Sequence, residues 1–341
     1  MSLKNLNANK TPKNLISKLS NKRIKNLFEL FEKNFDVKDS FAVAISGGPD
    51  SLALAFLTKI FSDKNNIISK YFIVDHKLRN ESTSEAKKVK KILSDFGIKL
   101  EILTWKGKKP TSNIQSIARK KRYDLLFSKC KNLKISNLVI GHHSEDLFEN
   151  FFIRMMRGSG LKGLISFEKK TSIDSINLIR PLLGFEKKNL IFISSHVFNF
   201  FVRDPSNQNV NFKRIKIRNI ISKFKNSGLD KNKLLLTIKN LKSSNEVVKF
   251  YTEQNKRLNM FYDKTQKKIF LNAVFFKQSY EVVFRSFSDS LQIISGNYFS
   301  PRGKKIDNLL EKIKKDTLKK ETLSGCIIKK VNQTVIITKE Y

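Results

Sequence analysis

The apolar run Phe41-Ala42-Val43-Ala44-Ile45 ends directly in Ser46-Gly47-Gly48-Pro49-Asp50-Ser51, and a helical apolar stretch, Leu52 to Ile60, follows. No other feature limits the fold as much. A strand without polar alternation is buried on both faces, as in a parallel sheet covered by helices. Two adjacent glycines let the chain turn so tightly that successive N–H groups converge on one point. The first turn of the next helix adds the positive end of its dipole at that point. The segment therefore predicts a strand–loop–helix unit that receives an anion, with Ser46 and Ser51 as hydroxyl donors. Asp50 fits such a site only if a cation bridges its carboxylate to the anion, as Mg2+ bridges carboxylate and phosphate. The string is neither a Walker A loop nor GxGxxG. Taken alone, it also fits an ordinary turn with Asp50 near a helix N-cap.

The pattern recurs along the first two thirds of the chain. Strands are expected at Tyr71–Val74, Leu100–Trp105 and Leu138–Ile140, and helices at Ser82–Phe96, Asn113–Lys129 and Glu145–Met156. An amphipathic helix is expected over 24–35, from the spacing of Leu27, Leu30, Phe31 and Phe35. Alternating strands and helices imply right-handed crossovers and an α/β, doubly wound parallel sheet. Ligands of such sheets bind beyond the carboxyl ends of strands, where the polar clusters of this chain fall. After about residue 210 the pattern changes to a smaller, mostly helical or mixed region. There, 212–260 reads as helices, 268–300 as strands, and Gly325–Thr338 again as strands. The expected organisation is a basic N-terminal extension with a helix (1–36), a nucleotide-binding catalytic domain (37–215) and a C-terminal region (216–341).

Charge points to a polyanionic partner. The chain carries 67 Lys and Arg against 30 Asp and Glu, a formal net charge of +37. The excess is spread along the chain, which gives a broad positive potential that attracts nucleic acid. A chain this rich in Lys, Asn, Ile and Phe also reflects genomic base composition, and that is the competing explanation for the size of the charge. No segment approaches the roughly 20 apolar residues of a membrane span, and no apolar secretory signal opens the chain. The first acid is Glu29, as in a transit peptide, although a basic tail accounts for it equally. Cys130 and Cys326 form neither a CxxC nor a zinc ligand set, which fits a reducing, cytoplasmic setting.

Several segments, in order, carry a family resemblance. Ser46-Gly47-Gly48-Pro49-Asp50-Ser51 matches the SGGxDS signature of the PP-loop ATP pyrophosphatases, of the adenine nucleotide alpha hydrolase-like fold. Val74-Asp75-His76-Lys77-Leu78-Arg79, Asn113-Ile114-Gln115 with Arg122-Tyr123, and Gly141-His142-His143 with Glu145, Asp146 and Glu149 follow. Next come Arg157-Gly158-Ser159-Gly160, Arg180-Pro181-Leu182-Leu183 and Asp204-Pro205-Ser206-Asn207, with Arg214 and Arg218 beyond. Over about residues 40–220 this set resembles the tRNA(Ile)-lysidine synthetases. Many members carry two aspartates where this chain has Glu145-Asp146, and Thr at the position of Asn150.

The resemblance implies ATP and Mg2+ as cofactors and a tRNA(Ile) with a CAU anticodon and L-lysine as partners. ATP adenylates C2 of the wobble cytidine, AMP and pyrophosphate are released, and lysine is ligated to give lysidine, so that decoding changes from AUG to AUA. A homodimer is compatible with it. The nucleotide-binding residues are then Ser46, Gly47, Gly48, Pro49, Asp50 and Ser51, with Asp75 and His76 bordering the adenosine, and Arg157 and Gly158 on phosphate. Asp50 is the metal ligand. Asp50, Arg122, His142, Asp146 and Glu149 are the catalytic candidates. Read physically, Asp146 and Glu149 lie three apart on one helical face. That suits a cationic ligand, such as an ammonium or Mg2+, though a solvated acidic face has the same spacing. Asp204-Pro205-Ser206-Asn207 reads as a turn as readily as a substrate contact. Two rival readings stay open: another PP-loop tRNA-modifying enzyme, such as a thiolase, and a non-catalytic RNA-binding protein.

Overall fold

The structure is a computed structural model that describes residues 12–107, 110–173, 175–202, 213–297 and 301–340. The chain divides into two compact units, Met1–Gly228 and Leu229–Tyr341. The division thus falls at Gly228, where the sequence suggested 215. The described part of 1–36 also belongs to the first unit and is not a separate extension. Its helices α1 (Lys13–Ile16) and α2 (Lys22–Asn34) bury Leu15, Ile24, Leu27, Phe28 and Phe31 in the same core as the first strand. The Asn21 side chain accepts from the N–H groups of Arg23 and Ile24, which satisfies the first turn of α2.

The rest of the first unit alternates. In order it has β1 (Phe41–Ile45), α3 (Pro49–Lys64), β2 (Ser69–Asp75), α4 (Ser82–Asp95), β3 (Leu100–Thr104), α5 (Ile114–Asn132), β4 (Asn137–Ile140) and α6 (Ser144–Met155). Then follow α7 (Leu161–Leu164), β5 (Lys170–Ile173), β6 (Ile176–Ile179), α8 (Lys187–Phe198) and α9 (Lys213–Asn226). Among the described residues these strands form one sheet in the order β3-β2-β1-β4-β6-β5. All neighbours are parallel except the hairpin of β5 on β6. That hairpin was not expected. Its strands are four residues each, and the polar Lys170-Thr171-Ser172 edge gives no apolar run to read.

This order places the site. The chain leaves β1 for β2 on one side and later crosses to β4 on the other, so the β1/β4 boundary is a topological switch point. Ile45 stands level with Ile73 of β2, and Ala44 with Ile140 of β4. The loops that follow β1, β2 and β4 therefore emerge side by side. Helix α3 is buried from Ser51 through Thr58, because the sheet covers one face and α8 packs on another. A helix enclosed this way is apolar all round, as Leu52, Leu54, Phe56, Leu57 and Ile60 require.

The second unit has α10 (Lys231–Asn259), β7 (Met260–Asp263), β8 (Lys268–Leu271), α11 (Tyr280–Ser295), α12 (Gly303–Lys314), β9 (Lys320–Leu323), β10 (Cys326–Val331) and β11 (Thr334–Lys339). Its described strands form an antiparallel sheet in the order β7-β8-β11-β10-β9. The strands expected over 268–300 are reduced to β8. Most of that stretch is α11, because Val283, Phe287, Leu291 and Ile294 recur every three or four residues and bury one helical face. No helix among the described residues is long and apolar enough to cross a membrane.

Candidate active site

The loop after β1 is closed by its own side chains. The N–H and Oγ of Ser46 lie 3.1 and 3.2 Å from Ser51 Oγ, which donates to the Gly48 carbonyl at 3.0 Å. Gly47 has φ +82°, and a Cβ there would stand 2.9 Å from methyls of Val89 and Val202. The turn therefore requires glycine twice over, for conformation and for space. The Val202 N–H donates to the Gly47 carbonyl at 2.9 Å. Pro49 opens α3 at a position whose N–H would have no helical partner.

Asp50, in the first turn of α3, does not face open solvent alone. Lys187 Nζ, from the first turn of α8, lies 2.7 and 2.6 Å from its two carboxylate oxygens. Ser194 Oγ, two turns along α8, donates to the Pro49 carbonyl at 2.5 Å. From the β4 side, Gly141 passes so close that a Cβ would lie 3.2 Å from the carbonyl carbon and oxygen of Asp50.

His143 joins this loop to the carboxylates of α6. It is buried, and its Nδ1 accepts from the Glu145 N–H at 3.2 Å, while Asp146 Oδ2 accepts from the His143 N–H at 3.0 Å, a reciprocal cap of α6. With Nδ1 used as acceptor, Nε2 is the ring nitrogen left to face outward. That atom stands 3.8 Å from Asp50 Oδ2 and 3.6 Å from Asp146 Oδ2, between the two carboxylates. Ser144 fixes the turn by donating N–H and Oγ to the Phe185 carbonyl, just before α8. One turn beyond Asp146, the buried Glu149 accepts from Arg218 Nε of α9 at 2.5 Å. Burial works against the Arg218 charge, but the Glu149 hydrogen bond, with Glu149, Asp146 and Glu145 nearby, raises its pKa further.

A second cluster forms at the end of β2. Asp75 is buried, and its oxygens accept from Ser82 Oγ, Thr83 Oγ1 and the Lys77 N–H at 2.8, 2.6 and 3.0 Å. Burial pushes its pKa up, yet these bonds outweigh it and the net shift is down. Asp75 thus organises its own turn. Arg122 of α5 donates from Nε to His76 Nε2 at 3.2 Å, with Trp105 edge-on to the imidazole. Burial first, then the Arg122 charge, pushes the His76 pKa down to about 4, so its ring is neutral at physiological pH.

The structure thus gathers Ser46 through Ser51 with Asp146 and Glu149, and Arg122 with His76. The His142 ring lies 5.0 Å from that of Phe167. Arg157 and Gly158 are exposed just beyond the far end of α6, whose last residue, Met155, lies about 13.5 Å along the axis from Asp146 at 1.5 Å per residue. There Gly158, at φ +64°, closes the helix by donating to the Met155 carbonyl. Asp204-Pro205-Ser206-Asn207 lies outside the described residues, as does the Arg214 side chain. Three residues missing from the sequence-based candidates occupy the site: Lys187, His143 and Arg218. His143 and Arg218 were visible in the motifs. Lys187 had a weaker signal, since Lys187-Lys188 puts two cations at the positive end of a helix.

Among the described residues no three His, Cys, Asp or Glu groups are arranged to hold a metal by themselves. Asp50 offers one hard carboxylate, which fits Mg2+ when phosphate oxygens complete the shell. Both cysteines are buried, one in each unit, and burial pushes their thiols up to about 11. Neither is a thiolate at neutral pH.

A PP-loop domain family matches residues 17–224. The chain is 33% identical over 323 residues to the tRNA(Ile)-lysidine synthase of Wolbachia sp. subsp. Brugia malayi (strain TRS), covering 93% of this chain and 74% of that one. It is 32% identical over 326 residues to the enzyme of the same name from Orientia tsutsugamushi (strain Boryong), covering 92% and 72%. Among solved structures, it is similar to the U34-tRNA thiolase NcsA from Methanococcus maripaludis, with a TM-score of 0.56 and 18% identity over 64% of this chain and 78% of that chain. That last likeness is one of fold.

Proposed function

Because the chain belongs to the PP-loop proteins and, within them, to the tRNA(Ile)-lysidine synthases, we propose that its first unit activates a CAU-anticodon tRNA(Ile) and transfers lysine to the wobble cytidine beside Asp50 and the carboxylates of α6. The enzyme is an ATP-dependent ligase. The observation that carries the reading is the position of His143 Nε2, 3.8 Å from Asp50 and 3.6 Å from Asp146. It makes one site of an anion-binding loop and a carboxylate pair, as a reaction joining a triphosphate and a cationic amino acid requires.

In the first step, the cytidine O2 attacks the α-phosphorus, the α–β bridging bond breaks, and pyrophosphate leaves. The backbone around Gly47 and Gly48, the start of α3 and Lys187 place positive potential where that charge develops. Mg2+, held by Asp50 together with the phosphates, screens phosphate charge when bound. In the second step, an amine of lysine forms the C–N bond at C2 and AMP leaves with the oxygen. Asp146 and Glu149 hold the ammonium groups of lysine, and a carboxylate at Asp146 receives the proton that the attacking amine loses. Arg218 keeps Glu149 oriented. Arg122 and the neutral His76 border the base or adenosine at the end of β2. The Lys-rich region 216–341 binds tRNA by shape and backbone. The setting is the cytoplasm.

The test is incorporation of radiolabelled L-lysine into an unmodified CAU-anticodon tRNA(Ile) transcript, with and without ATP and Mg2+, for wild type and Asp50→Ala. ATP-dependent labelling that is lost in the variant is the expected result. Release of AMP and pyrophosphate without labelling would assign a different nucleophile, and absence of both would leave an RNA-binding role. Because Asp50 lies in the first turn of a buried helix, the control is that the variant melts as wild type does.

A further inference from the structure

Lys187 sits where its charge is disfavoured by its own helix. Helix α8 opens with Lys187 and Lys188, has no acid in its first turn, and its N-cap Glu186 makes no side-chain cap. Cations there oppose the positive end of the helix dipole, so an anion must sit opposite them. In this structure Lys188 pairs with Glu186, and the anion facing Lys187 is Asp50, gripped by Nζ through both oxygens at 2.7 and 2.6 Å. The grip is held in register from three sides: Ser194 Oγ on the Pro49 carbonyl, Val202 N–H on the Gly47 carbonyl, and Ser144 on the Phe185 carbonyl. Both side chains remain partly open, at 33% and 24% exposure, so ligands reach them.

A carboxylate neutralised through both oxygens by an ammonium is a poor ligand for a divalent cation. Yet the loop reading needs Asp50 to take Mg2+ with the triphosphate. We propose that Lys187 is the counter-ion of Asp50 in the free enzyme, and that it moves onto the phosphate chain when ATP and Mg2+ bind. The metal replaces the ammonium on Asp50, and the released ammonium meets the new anion a few ångströms away. No charge is left uncompensated in either state. The loop thus discriminates against metal without nucleotide. This inference rests on the reading of the loop as the ATP site.

The test uses the full chain, Mn2+ as a paramagnetic probe and ATP with Mg2+ by calorimetry. Lys187→Met removes the charge and keeps the stem. It should bind Mn2+ alone several-fold more tightly than wild type, and ATP roughly 10- to 100-fold more weakly, the range for losing one charge-assisted hydrogen bond. Lys187→Arg should restore ATP binding. The Mn2+ gain must vanish when Asp50→Asn is added, which ties it to that carboxylate. Unchanged Mn2+ affinity in a Lys187→Met protein that melts normally overturns the counter-ion role. Unchanged ATP affinity overturns the transfer to phosphate. A wild type that binds no ATP would instead refute the loop reading, and the inference with it. If Lys187→Met is unfolded, Lys187→Gln supplies the same charge-removing comparison.

Discussion

Gly141→Ala isolates the contact between the β4 end and the nucleotide loop. Gly141 has no left-handed φ, so alanine adds no backbone strain, only a methyl. That methyl would lie 3.2 Å from both the carbonyl carbon and oxygen of Asp50 and 3.3 Å from the Ser51 nitrogen. All three are backbone atoms in the first turn of a buried helix, so no side chain can swing away. The loop must retreat by a few tenths of an ångström. Overpacking of this kind costs about 1–3 kcal/mol. For a unit of this size that lowers Tm by roughly 2–4 °C per kcal/mol. The retreat carries the Asp50 carboxylate away from Lys187 and His143. A 1 Å misplacement costs on the order of 100-fold in rate, so a smaller shift should reduce lysine incorporation by about 10-fold. Melting curves with and without ATP, alongside the incorporation assay, measure both effects. Gly160→Ala is the control, since a methyl there would meet nothing within 4 Å. A Gly141→Ala protein that melts with this control and labels tRNA at the wild-type rate would refute the claim that this contact sets the loop.

Glu149→Gln keeps the shape of the buried side chain and removes the charge that faces Arg218. The KM for lysine should rise roughly 10-fold or more while ATP affinity holds, by the worth of a hydrogen bond to a charged group; an unchanged KM would place lysine elsewhere. His76 should stay neutral down to about pH 4 in an NMR titration. Its folded pKa lies below the unfolded value of about 6.5, so the folded state binds fewer protons between pH 4 and 6.5. Its contribution to stability is therefore complete above pH 6.5 and lost as pH falls toward 4, and an ordinary titration near 6.5 would contradict the buried pairing with Arg122. Cys130 and Cys326 should resist alkylation at neutral pH in the native protein and react fully in denaturant, a difference read by mass spectrometry. Modification of native Cys130 would show that α5 opens.

Much of the site was legible because its chemistry is local. A strand, two glycines and a helix start lie consecutively at 41–60, and the His143–Asp146 cap lies within one turn. Local periodicity likewise gave the β1 to α6 alternation. What escaped was what folding brings from afar. Lys187 is remote in sequence from Asp50, and nothing in its immediate surroundings marks it except an unfavourable position at a helix start. Asp75 looked like a ligand contact because an acid after a strand often is; only the hydroxyls of Ser82 and Thr83 reveal that it also ties its own turn together. His142 and His143 are indistinguishable in a string, and the β4 end decides which turns toward Asp50. The short β5–β6 hairpin has too few residues to show a period, and the phenylalanines of α11 suggested alternation where burial follows a helical face.

His143 Nε2 stands between two carboxylates, within 4 Å of each. One ring edge cannot close on both at once, so whatever engages Asp50 alters what remains for Asp146. Thermodynamic linkage then demands reciprocity: the factor by which nucleotide changes the affinity for the amino acid equals the factor by which the amino acid changes the affinity for nucleotide. The two substrates need not touch for each to report the presence of the other.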